Sequence, residues 1–380
     1  MVTNNFHRVW ANIDLDAVRD NIVAVKDRIK SGTKICAVIK ADGYGHGAVP
    51  IARHTQSLVD FFAVATIEEA LELRSAGIER PILILGYVHP DSAVEAVQND
   101  IRLTVFDYDT AAILSQKAFA CGRQLKIHIK IDTGMNRIGL KPDENSLQII
   151  EKIVALKGLQ AEGIFTHFFA SDSSDPASAR HQLSAFQDFC GAAEKRGIHI
   201  PMKHCSNSAA AIVMPEANLD MVRLGIVIYG LYPSEYIKQL SLKPALSLKS
   251  SVVMVKTIQK GETVGYGATY MAKNEMKIAT VPVGYADGYM RSLSNRGYVL
   301  IRGQRAKIVG RICMDQFMVD VTSLDNIRRG DEVTLIGQDG TQELSMEQVA
   351  SMAGSFNYEF VCDINKRVPR LYFSGGMRVF

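Results

Sequence analysis

The sequence of 380 residues has no CxxC pair, no block of like charges and no long apolar run. Its six scattered cysteines and nine histidines lack metal-ligand spacing, so we expect reduced thiols and no metal site. The 43 Lys and Arg residues are interspersed with 40 Asp and Glu residues, which argues against a nucleic-acid partner. No apolar run approaches the roughly 18 residues that span a bilayer. Since Met1–Trp10 also lacks the layout of a signal peptide, we expect a cytoplasmic protein without a membrane partner.

Short apolar segments alternate with amphipathic segments between about residues 34 and 230. The eight strand candidates are Lys34–Ile39, Phe61–Ala65, Ile82–Leu85, Arg102–Val105, Leu125–Ile131, Leu159–Thr166, Ile200–His204 and Met221–Ile228. Apolar strands that alternate with helices are typical of a parallel sheet covered on its outer face. Eight such units predict an N-terminal (β/α)8 TIM-like barrel. An open doubly wound sheet is the alternative, but it would not need eight units.

Helix signals fall between these strands. Asp14 precedes a segment whose apolar residues recur every three to four positions, so it can cap a helix there. Thr66 and Glu69 have the spacing of a capping box, which predicts a helix extending to Ala76. Further helices are predicted at Asp91–Asn99, Asp109–Cys121, Glu144–Lys157 and Ala177–Gly197.

After about residue 240 the sequence changes to short β-rich segments separated by Gly, Asp and Asn turns. One helix, Ser345–Met352, is predicted among strands at Ser251–Thr257, Lys277–Val283, Tyr298–Ile301, Ala306–Ile312, Phe317–Val321 and Glu332–Ile336. This change predicts a separate, mainly β domain. We place the barrel at residues 12–242 and the mainly β domain at residues 1–11 and 243–380.

Reactive side chains follow several of the predicted barrel strands. The active site of a barrel lies at the C-terminal ends of its strands, so these side chains are candidates for chemistry. They are Lys40 after the first strand, Lys130 and Arg137 at and after the fifth, His167 after the sixth, Ser208 after the seventh, and Arg223 in the eighth.

Lys40 is the most informative of these residues. A lysine at the end of an apolar strand is costly unless it reaches water, finds a partner or loses its charge. Desolvation and neighbouring cations lower the pKa of a lysine and leave a neutral amine, which is nucleophilic toward carbonyl compounds. The adjacent Gly43–Gly47 segment is rich in glycine, and Ser208 and Gly225 lie where barrels often bind phosphate. Together with Lys40, these segments suit a phosphorylated cofactor that is linked to the lysine.

Six segments, in order along nearly the whole chain, resemble the alanine racemases, which are pyridoxal-phosphate enzymes of fold type III. Ala37–Gly47 is similar to the pyridoxal-lysine signature of that family. The other five segments are Asp132–Gly139, Arg223–Gly230, Val264–Tyr270, Pro282–Tyr289 and Gly310–Gln316. The resemblance implies a homodimeric isomerase that interconverts L- and D-alanine and supplies D-alanine for cell-wall peptidoglycan.

The resemblance also implies a two-base mechanism. Lys40 would hold pyridoxal 5'-phosphate and act as one base. Tyr266, supplied by the partner subunit, would be the base on the opposite face. Arg223 would contact the pyridine nitrogen, and His167 would lie between Arg223 and Tyr266.

Further residues would bind the substrate and the cofactor. Arg137 and Met314 would position the substrate carboxylate, and Lys130 matches the carbamylated lysine of the family, whose negative charge would hold Arg137. Tyr285 and Tyr358 would narrow the entrance. The phosphate would be bound by Tyr44, Ser208, Gly225, Ile226 and Tyr358.

Other classes of protein remain as alternatives. A barrel that manages pyridoxal-phosphate supply would share Lys40 but has no need of a β domain. A barrel-type amino-acid decarboxylase would use an acidic partner for the ring nitrogen and a thiol such as Cys313 or Cys362, and Arg223 argues against it. A metal-dependent hydrolase would need His and Asp clusters that the sequence lacks. A racemase that accepts serine or a broader range of amino acids would use the same catalytic residues.

Overall fold

The computed structural model describes residues 8–379, which form two compact units. One unit comprises Val18–Gly43 and Ala48–Lys243. The other comprises the described residues up to Ala17, Tyr44–Gly47 and the chain from Pro244 onward. Residues 1–7, which belong to the segment that we assign to the β domain, lie outside the described residues, as does Phe380. Across residues 8–379 no helix is both long and apolar enough to cross a membrane.

The first unit is built on eight parallel strands, which confirms the predicted barrel. They are Lys34–Val38, Phe61–Val64, Ile82–Ile84, Ile101–Val105, Leu125–Lys130, Leu159–Phe165, Met202–His204 and Met221–Leu224. Consecutive strands are neighbours from the first to the seventh, and the eighth pairs with the first. Between the seventh and eighth strands, the amide of Asp220 donates to the carbonyl of Lys203 (3.1 Å) and that of Arg223 to Ser206 (3.0 Å). These two bonds nearly close the barrel.

Helices alternate with the barrel strands. They are Leu15–Lys26, Ala48–Thr55, Ile67–Ser75, Ala93–Gln98, Tyr108–Ala120, Glu144–Val154, Ala177–Lys195 and Ser208–Val213, with short 3-10 turns at Pro90–Ser92 and Pro215–Ala217. Helix Glu144–Val154 shows how the sequence produces them: Asp143 accepts a hydrogen bond from the amide of Ser146 at 2.9 Å and caps the first turn. Its buried Leu147 and Ile150 recur at helical spacing, so one face packs inward.

The second unit is mainly β, as predicted. Its large sheet contains Val9–Asp14, Leu246–Ser251, Met254–Ile258, Met276–Val281, Tyr298–Ile301, Gln304–Val309, Phe317–Asp320, Glu332–Asp339, Gln342–Leu344, Arg370–Ser374 and Met377–Arg378. Strand Val9–Asp14 lies between Leu246–Ser251, its antiparallel neighbour, and Arg370–Ser374, its parallel neighbour. A small hairpin joins Thr263–Val264 to Tyr270–Met271. Helices Met346–Ala353 and Asn357–Asp363 and 3-10 turns at Tyr266–Ala268, Tyr285–Asp287 and Arg291–Leu293 complete this unit.

Two strand ends differ from the sequence prediction. The eighth barrel strand ends at Leu224, and Ile226–Tyr229 form a buried 3-10 turn instead of continuing the strand to Ile228. Both conformations bury an apolar run, so composition alone did not distinguish them. The first strand ends at Val38, and Lys40 begins a new turn rather than ending the strand.

The starts of two helices depend on particular side chains. Asn207 caps helix Ser208–Val213 by accepting a hydrogen bond from the amide of Ala210 (3.0 Å). The Thr66 hydroxyl accepts from the amide of Glu69 as expected, at 3.3 Å. The Glu69 carboxylate, however, accepts hydrogen bonds from other backbone amides and leaves the capping box half formed. Glu69 is therefore used elsewhere than the capping motif predicted.

Candidate active site

Lys40 lies at the start of an unusual turn after the first barrel strand. Ala41, Asp42 and Gly43 have φ values of 52°, 52° and 62°, all in the left-handed helical region. This conformation costs roughly 1–2 kcal/mol for each residue other than glycine, so the surroundings must hold it. The amide of Ala48 donates to Asp42 Oδ1 at 2.9 Å and ties the turn to the next helix. Lys40 is therefore presented from a fixed backbone.

The guanidinium of Arg223 is buried inside the barrel unit, with 3% of the residue exposed. Its Nη1 atom hydrogen bonds with His204 Nδ1 at 2.8 Å. Its Nη2 atom has three further acceptors: the carbonyls of Thr166 and Cys205, each at 2.9 Å, and His167 Nδ1 at 3.2 Å. Burial lowers the pKa of Arg223 to about 10, so the side chain stays charged at neutral pH.

His204 extends this contact into a chain of hydrogen bonds across the barrel interior. Its Nε2 atom lies 2.8 Å from His128 Nδ1, and His128 Nε2 lies 3.2 Å from Glu162 Oε2. A guanidinium only donates, so His204 accepts at Nδ1 and carries its proton on Nε2. By the same reasoning His128 accepts at Nδ1 and donates from Nε2 to Glu162. The hydrogen bonds from Arg223 to Glu162 are therefore all donated in one direction, toward Glu162.

Glu162 ends this chain as a paired carboxylate. Arg102, which is 4% exposed, donates from Nε to the same Oε2 atom at 3.1 Å. Burial by itself raises the pKa of Glu162, but the hydrogen bond from His128 and the charge of Arg102 outweigh it, and the pKa falls to about 2. Burial lowers the pKa of His128 and of His204, so both rings are neutral near pH 7. Two neutral rings thus connect a buried cation to a carboxylate.

Four cationic residues act on His167, which shows that several predicted site residues lie near one another. Burial is the main cause of the strongly lowered pKa of His167. The charges of Arg223, Arg137, Lys130 and Lys40 lower that pKa further. His167 is therefore neutral, and because its Nδ1 accepts from Arg223 its proton lies on Nε2.

Lys130 is buried at the end of the fifth barrel strand, with 3% of the residue exposed. Its Nζ atom donates to the carbonyl of Ile131 at 2.6 Å. Burial and then the charge of Arg223 lower the pKa of Lys130 to about 8. Asp132 organises the loop that follows, since its Oδ2 atom accepts from the amide of Arg137 at 3.1 Å. A lysine that is partly neutral near physiological pH thus lies among arginines.

Ser208, Gly225 and Ile226 form a third group in the barrel unit. The Ser208 hydroxyl accepts a hydrogen bond from the amide of Gly225 at 2.9 Å. This bond joins the helix after the seventh strand to the turn after the eighth, where Ile226 begins the 3-10 segment. Hydroxyl and backbone N–H groups are the donors that phosphate prefers. The chemistry of this donor set fits a phosphate group.

The other unit presents Tyr266, Tyr285 and Met314, which are 71%, 43% and 53% exposed. The amide of Tyr285 donates to the carbonyl of Cys313 at 3.1 Å, which joins the segments that carry Tyr285 and Met314. Gly284 permits this approach, because a Cβ atom there would lie 2.2 Å from the carbonyl oxygen of Met314. The three side chains are therefore accessible at the surface of this unit.

Tyr44 packs in this unit although it follows Lys40 closely in the sequence. Its ring centroid lies 6.3 Å from that of Tyr358, and burial raises the pKa of its hydroxyl. The carbonyl of Gly45 accepts from Arg370 Nε at 3.0 Å. Gly47 allows Tyr372 to approach, since a Cβ atom there would lie 1.9 Å from the Tyr372 hydroxyl. Two predicted phosphate ligands, Tyr44 and Tyr358, are thus brought together.

Both units match known domain families. The alanine racemase N-terminal domain matches residues 13–233, and the alanine racemase C-terminal domain matches residues 245–372. An alanine racemase of Methanococcus maripaludis is 46% identical over 369 residues, which cover 96% of this chain and 99% of the relative. The solved alanine racemase of Clostridium difficile 630 is 40% identical, with a TM-score of 0.95 and coverage of 100% of this chain and 98% of the other. That of Bacillus anthracis, solved with bound L-Ala-P, is 36% identical, with a TM-score of 0.94 and coverage of 99% and 97%.

The fold and the strand-end residues define a barrel enzyme with a second, mainly β unit. The chain belongs to the alanine racemase family and is an amino-acid racemase, an isomerase. A barrel that only manages cofactor supply would lack the second domain, which here matches its own family. The matched relatives are alanine racemases and not decarboxylases, so two of the alternatives, the cofactor-supply barrel and the decarboxylase, are set aside.

The residues that support Arg223 were not predicted from the sequence. His204, His128 and Glu162 lie on three strands, and their sequence separations of 34 to 76 residues gave no local pattern. A partial signal was nevertheless present, because all three are polar residues inside segments that are predicted as barrel strands. Polar residues in such strands need partners, which was a reason to expect them to meet.

Replacement of Glu162 by Leu tests the hydrogen-bond chain. Glu162→Leu removes the carboxylate that accepts hydrogen bonds from Arg102 and His128, so we expect the free energy of unfolding to fall by about 3 kcal/mol near pH 7. The folded-state pKa of Glu162 is lowered, so its stabilising effect is complete above its ordinary pKa and is lost as the pH falls toward about 2. Urea unfolding of both proteins at several pH values should show a smaller difference in acid.

The control for this prediction is Glu216→Leu. Glu216 forms an exposed ion pair with Arg180 at 3.2 Å, and its loss should cost less than about 1 kcal/mol. A Glu162→Leu protein as stable as the control, or a difference that does not change with pH, would contradict the assignment of Glu162 as the charged end of the chain.

Proposed function

We propose that the chain interconverts L- and D-alanine in the cytoplasm, with pyridoxal 5'-phosphate as cofactor, and supplies D-alanine for peptidoglycan. The observation that carries this proposal is the set of cations around His167, with the buried Arg223 among them. The alanine racemase family of the chain and a relative solved with bound L-Ala-P support alanine as the substrate.

The residues of the barrel unit fit the cofactor group by group. Lys40 offers an amine for its aldehyde carbon, and Arg223 offers a donor for its ring nitrogen. Ser208, Gly225 and Ile226 offer donors for its phosphate, to which Tyr44 and Tyr358 would add hydroxyl groups. When bound, pyridoxal phosphate supplies the electron withdrawal that makes the α-proton of an amino acid acidic.

Two bases would act on opposite faces of the substrate. Lys40 would move a proton on one face, and Tyr266 of the partner subunit would move a proton on the other. Unperturbed lysine and tyrosine have pKa values of about 10.4 and 10, so nearby cations are needed to favour their basic forms. Arg223 would act on Tyr266 through His167, because His167 accepts a hydrogen bond from Arg223 and can donate one from Nε2 toward Tyr266.

Arg223 would also set the protonation of the ring nitrogen. A guanidinium does not give up its proton near neutral pH, so it donates a hydrogen bond and leaves that nitrogen unprotonated. A carboxylic acid at this position would protonate the nitrogen and strengthen electron withdrawal. The weaker withdrawal should limit side reactions such as transamination.

Lys130 would react with carbon dioxide to form a carbamate. In this step the neutral amine of Lys130 forms an N–C bond to carbon dioxide and releases one proton. The change replaces a buried cation near Arg223 and Arg137 by an anion, which removes a repulsion and adds an attraction. The carbamate would hold Arg137, which, with Met314, would position the substrate carboxylate.

The active enzyme would be a homodimer with two-fold symmetry, in which each subunit completes the site of the other. The exposure of Tyr266, Tyr285 and Met314 supports this arrangement, because a partner would cover them. Tyr285 and Tyr358 would then narrow the entrance to the site.

The activity is tested by incubating the purified holoenzyme with L-alanine and following both enantiomers by chiral chromatography. We expect D-alanine to accumulate until the two enantiomers are equal, and the same end point from D-alanine. Serine at the same concentration serves as the comparison for substrate range. A holoenzyme that leaves L-alanine unchanged would overturn the proposal.

Replacement of Tyr266 by Phe removes the proposed second base. We expect kcat to fall by about 10²–10⁴-fold, the contribution of one positioned acid–base group. Tyr270→Phe, in the same hairpin segment, is the control and should keep its activity. A Tyr266→Phe enzyme that racemises alanine at the wild-type rate would exclude Tyr266 as a base.

Mixing two inactive variants tests the shared site. Lys40→Ala and Tyr266→Phe lie in different units, so a mixed dimer would contain one site with neither substitution and one with both. Random exchange of subunits should restore about a quarter of the wild-type activity. Native mass spectrometry of the same samples resolves the mixed dimer by its mass and shows that subunits exchange; dimers that exchange without any gain in activity would contradict a site built from two subunits.

Carbamylation of Lys130 is tested with ¹³C-labelled bicarbonate. We expect one carbamate carbon resonance in the wild-type protein and none in Lys130→Met. At fixed dissolved carbon dioxide the signal should grow as the pH rises toward and past about 8, because the neutral fraction of Lys130 rises. Lys126→Met, on the same strand but paired with Asp100 at the surface, should keep the resonance. A signal that survives in Lys130→Met would disprove this site.

A further inference from the structure

Glu69 occupies a place next to Lys40 that neither the capping motif nor the proposed chemistry explains. Its Oε1 atom accepts a hydrogen bond from the amide of Ala41 at 2.6 Å, and its Oε2 atom accepts one from the amide of Ala65 at 2.8 Å. Ala41 directly follows Lys40, and Ala65 directly follows the second barrel strand. One carboxylate therefore bridges the ends of the first two strands.

The bridge begins where the backbone ladder between these strands ends. Val38 lies opposite Ala63, and the last ladder bond is donated by the amide of Ile39 to the carbonyl of Ala63, at 2.9 Å. Beyond that point the chain enters the left-handed turn, in which the amide of Gly43 donates to the carbonyl of Ile39 at 2.8 Å. The amides of Ala41 and Ala65 donate instead to the carboxylate of Glu69.

The bridge also acts on the peptide that fixes the direction of Lys40. The amide of Ala41 belongs to the peptide group directly after the Lys40 Cα atom, so holding it limits rotation at Lys40. Ala41 is one of the non-glycine residues with positive φ, a conformation that persists only where the surroundings determine it. Glu69 supplies a charge-assisted hydrogen bond at that residue.

We propose that Glu69 is a positioning residue, which holds the left-handed turn after Lys40 and so fixes the direction from which the Lys40 amine acts. This inference rests on the proposed role of Lys40. The two acceptor oxygens are essential to it, because two N–H groups point at the carboxylate and an amide side chain has only one acceptor.

The test compares Glu69→Gln with Glu72→Gln in the holoenzyme. Glu72 is an exposed residue of the same helix, so it controls for the loss of charge. Hydrogen exchange resolved at the amides of Ala41 and Ala65 measures the bridge directly. We expect at least one of these amides to exchange about tenfold faster in Glu69→Gln, as when one hydrogen bond is lost.

Kinetics separate positioning from a purely structural role. Well below the unfolding temperature, Glu69→Gln should lower kcat for alanine about ten- to a hundredfold, with little change in KM, because a misplaced base slows the proton transfer and not the binding. Glu72→Gln should match the wild type in both measurements.

Two results would overturn the inference. Unchanged exchange at both amides would show that no bridge exists, and faster exchange with an unchanged kcat would show that the bridge does not position Lys40. A wild-type enzyme that is inactive on alanine would instead contradict the proposed function. The exchange rates would still decide whether Glu69 holds the turn.

Discussion

A guanidinium inside a barrel must find acceptors for its N–H groups, and this requirement on Arg223 organises the polar interior of the barrel unit. Carbonyls at the ends of two strands and two histidine rings accept its hydrogen bonds. Because the guanidinium only donates, the proton positions of His204 and His128 follow, and the chain must end at an acceptor, which is Glu162. A buried charged group on the eighth strand is thus linked through two histidine rings to a carboxylate on the sixth strand, so the interior of the barrel is not fully aliphatic.

The other basic residues of the barrel unit lie in different surroundings. Lys40 is presented by a left-handed turn, and burial and then the charge of Arg223 lower the pKa of Lys130 to about 8. Several positive charges close together repel one another, and this repulsion is costly unless anions bind among them. The proposed ligands meet this requirement, since a phosphate, a substrate carboxylate and a carbamate on Lys130 are all negative. The positive charge of these side chains therefore agrees with a site for an anionic cofactor and an amino acid.

Simple rules predicted most of the fold and the positions of the reactive side chains. Period and composition predicted eight barrel strands, and the rule for strand ends identified Lys40 and Arg223; the roles of Tyr266 and Met314 came from the family resemblance alone. What the rules missed depends on contacts between distant segments. The Ile226–Tyr229 turn is as apolar as a strand, and Glu69 has the spacing of a capping box but bonds to Ala41. Local patterns carry no information about such partners, because the folded barrel brings them together.

The direct test of two bases is the isotope at the α-carbon after brief incubation of L-alanine with the holoenzyme in D₂O. Chiral separation followed by mass spectrometry gives the deuterium content of the D-alanine formed and of the remaining L-alanine. With one base on each face, the D-alanine formed first should carry deuterium from the solvent, because the group that delivers the proton is not the group that removed it. D-alanine that retains the original α-proton would show transfer by a single base and contradict the roles of Lys40 and Tyr266.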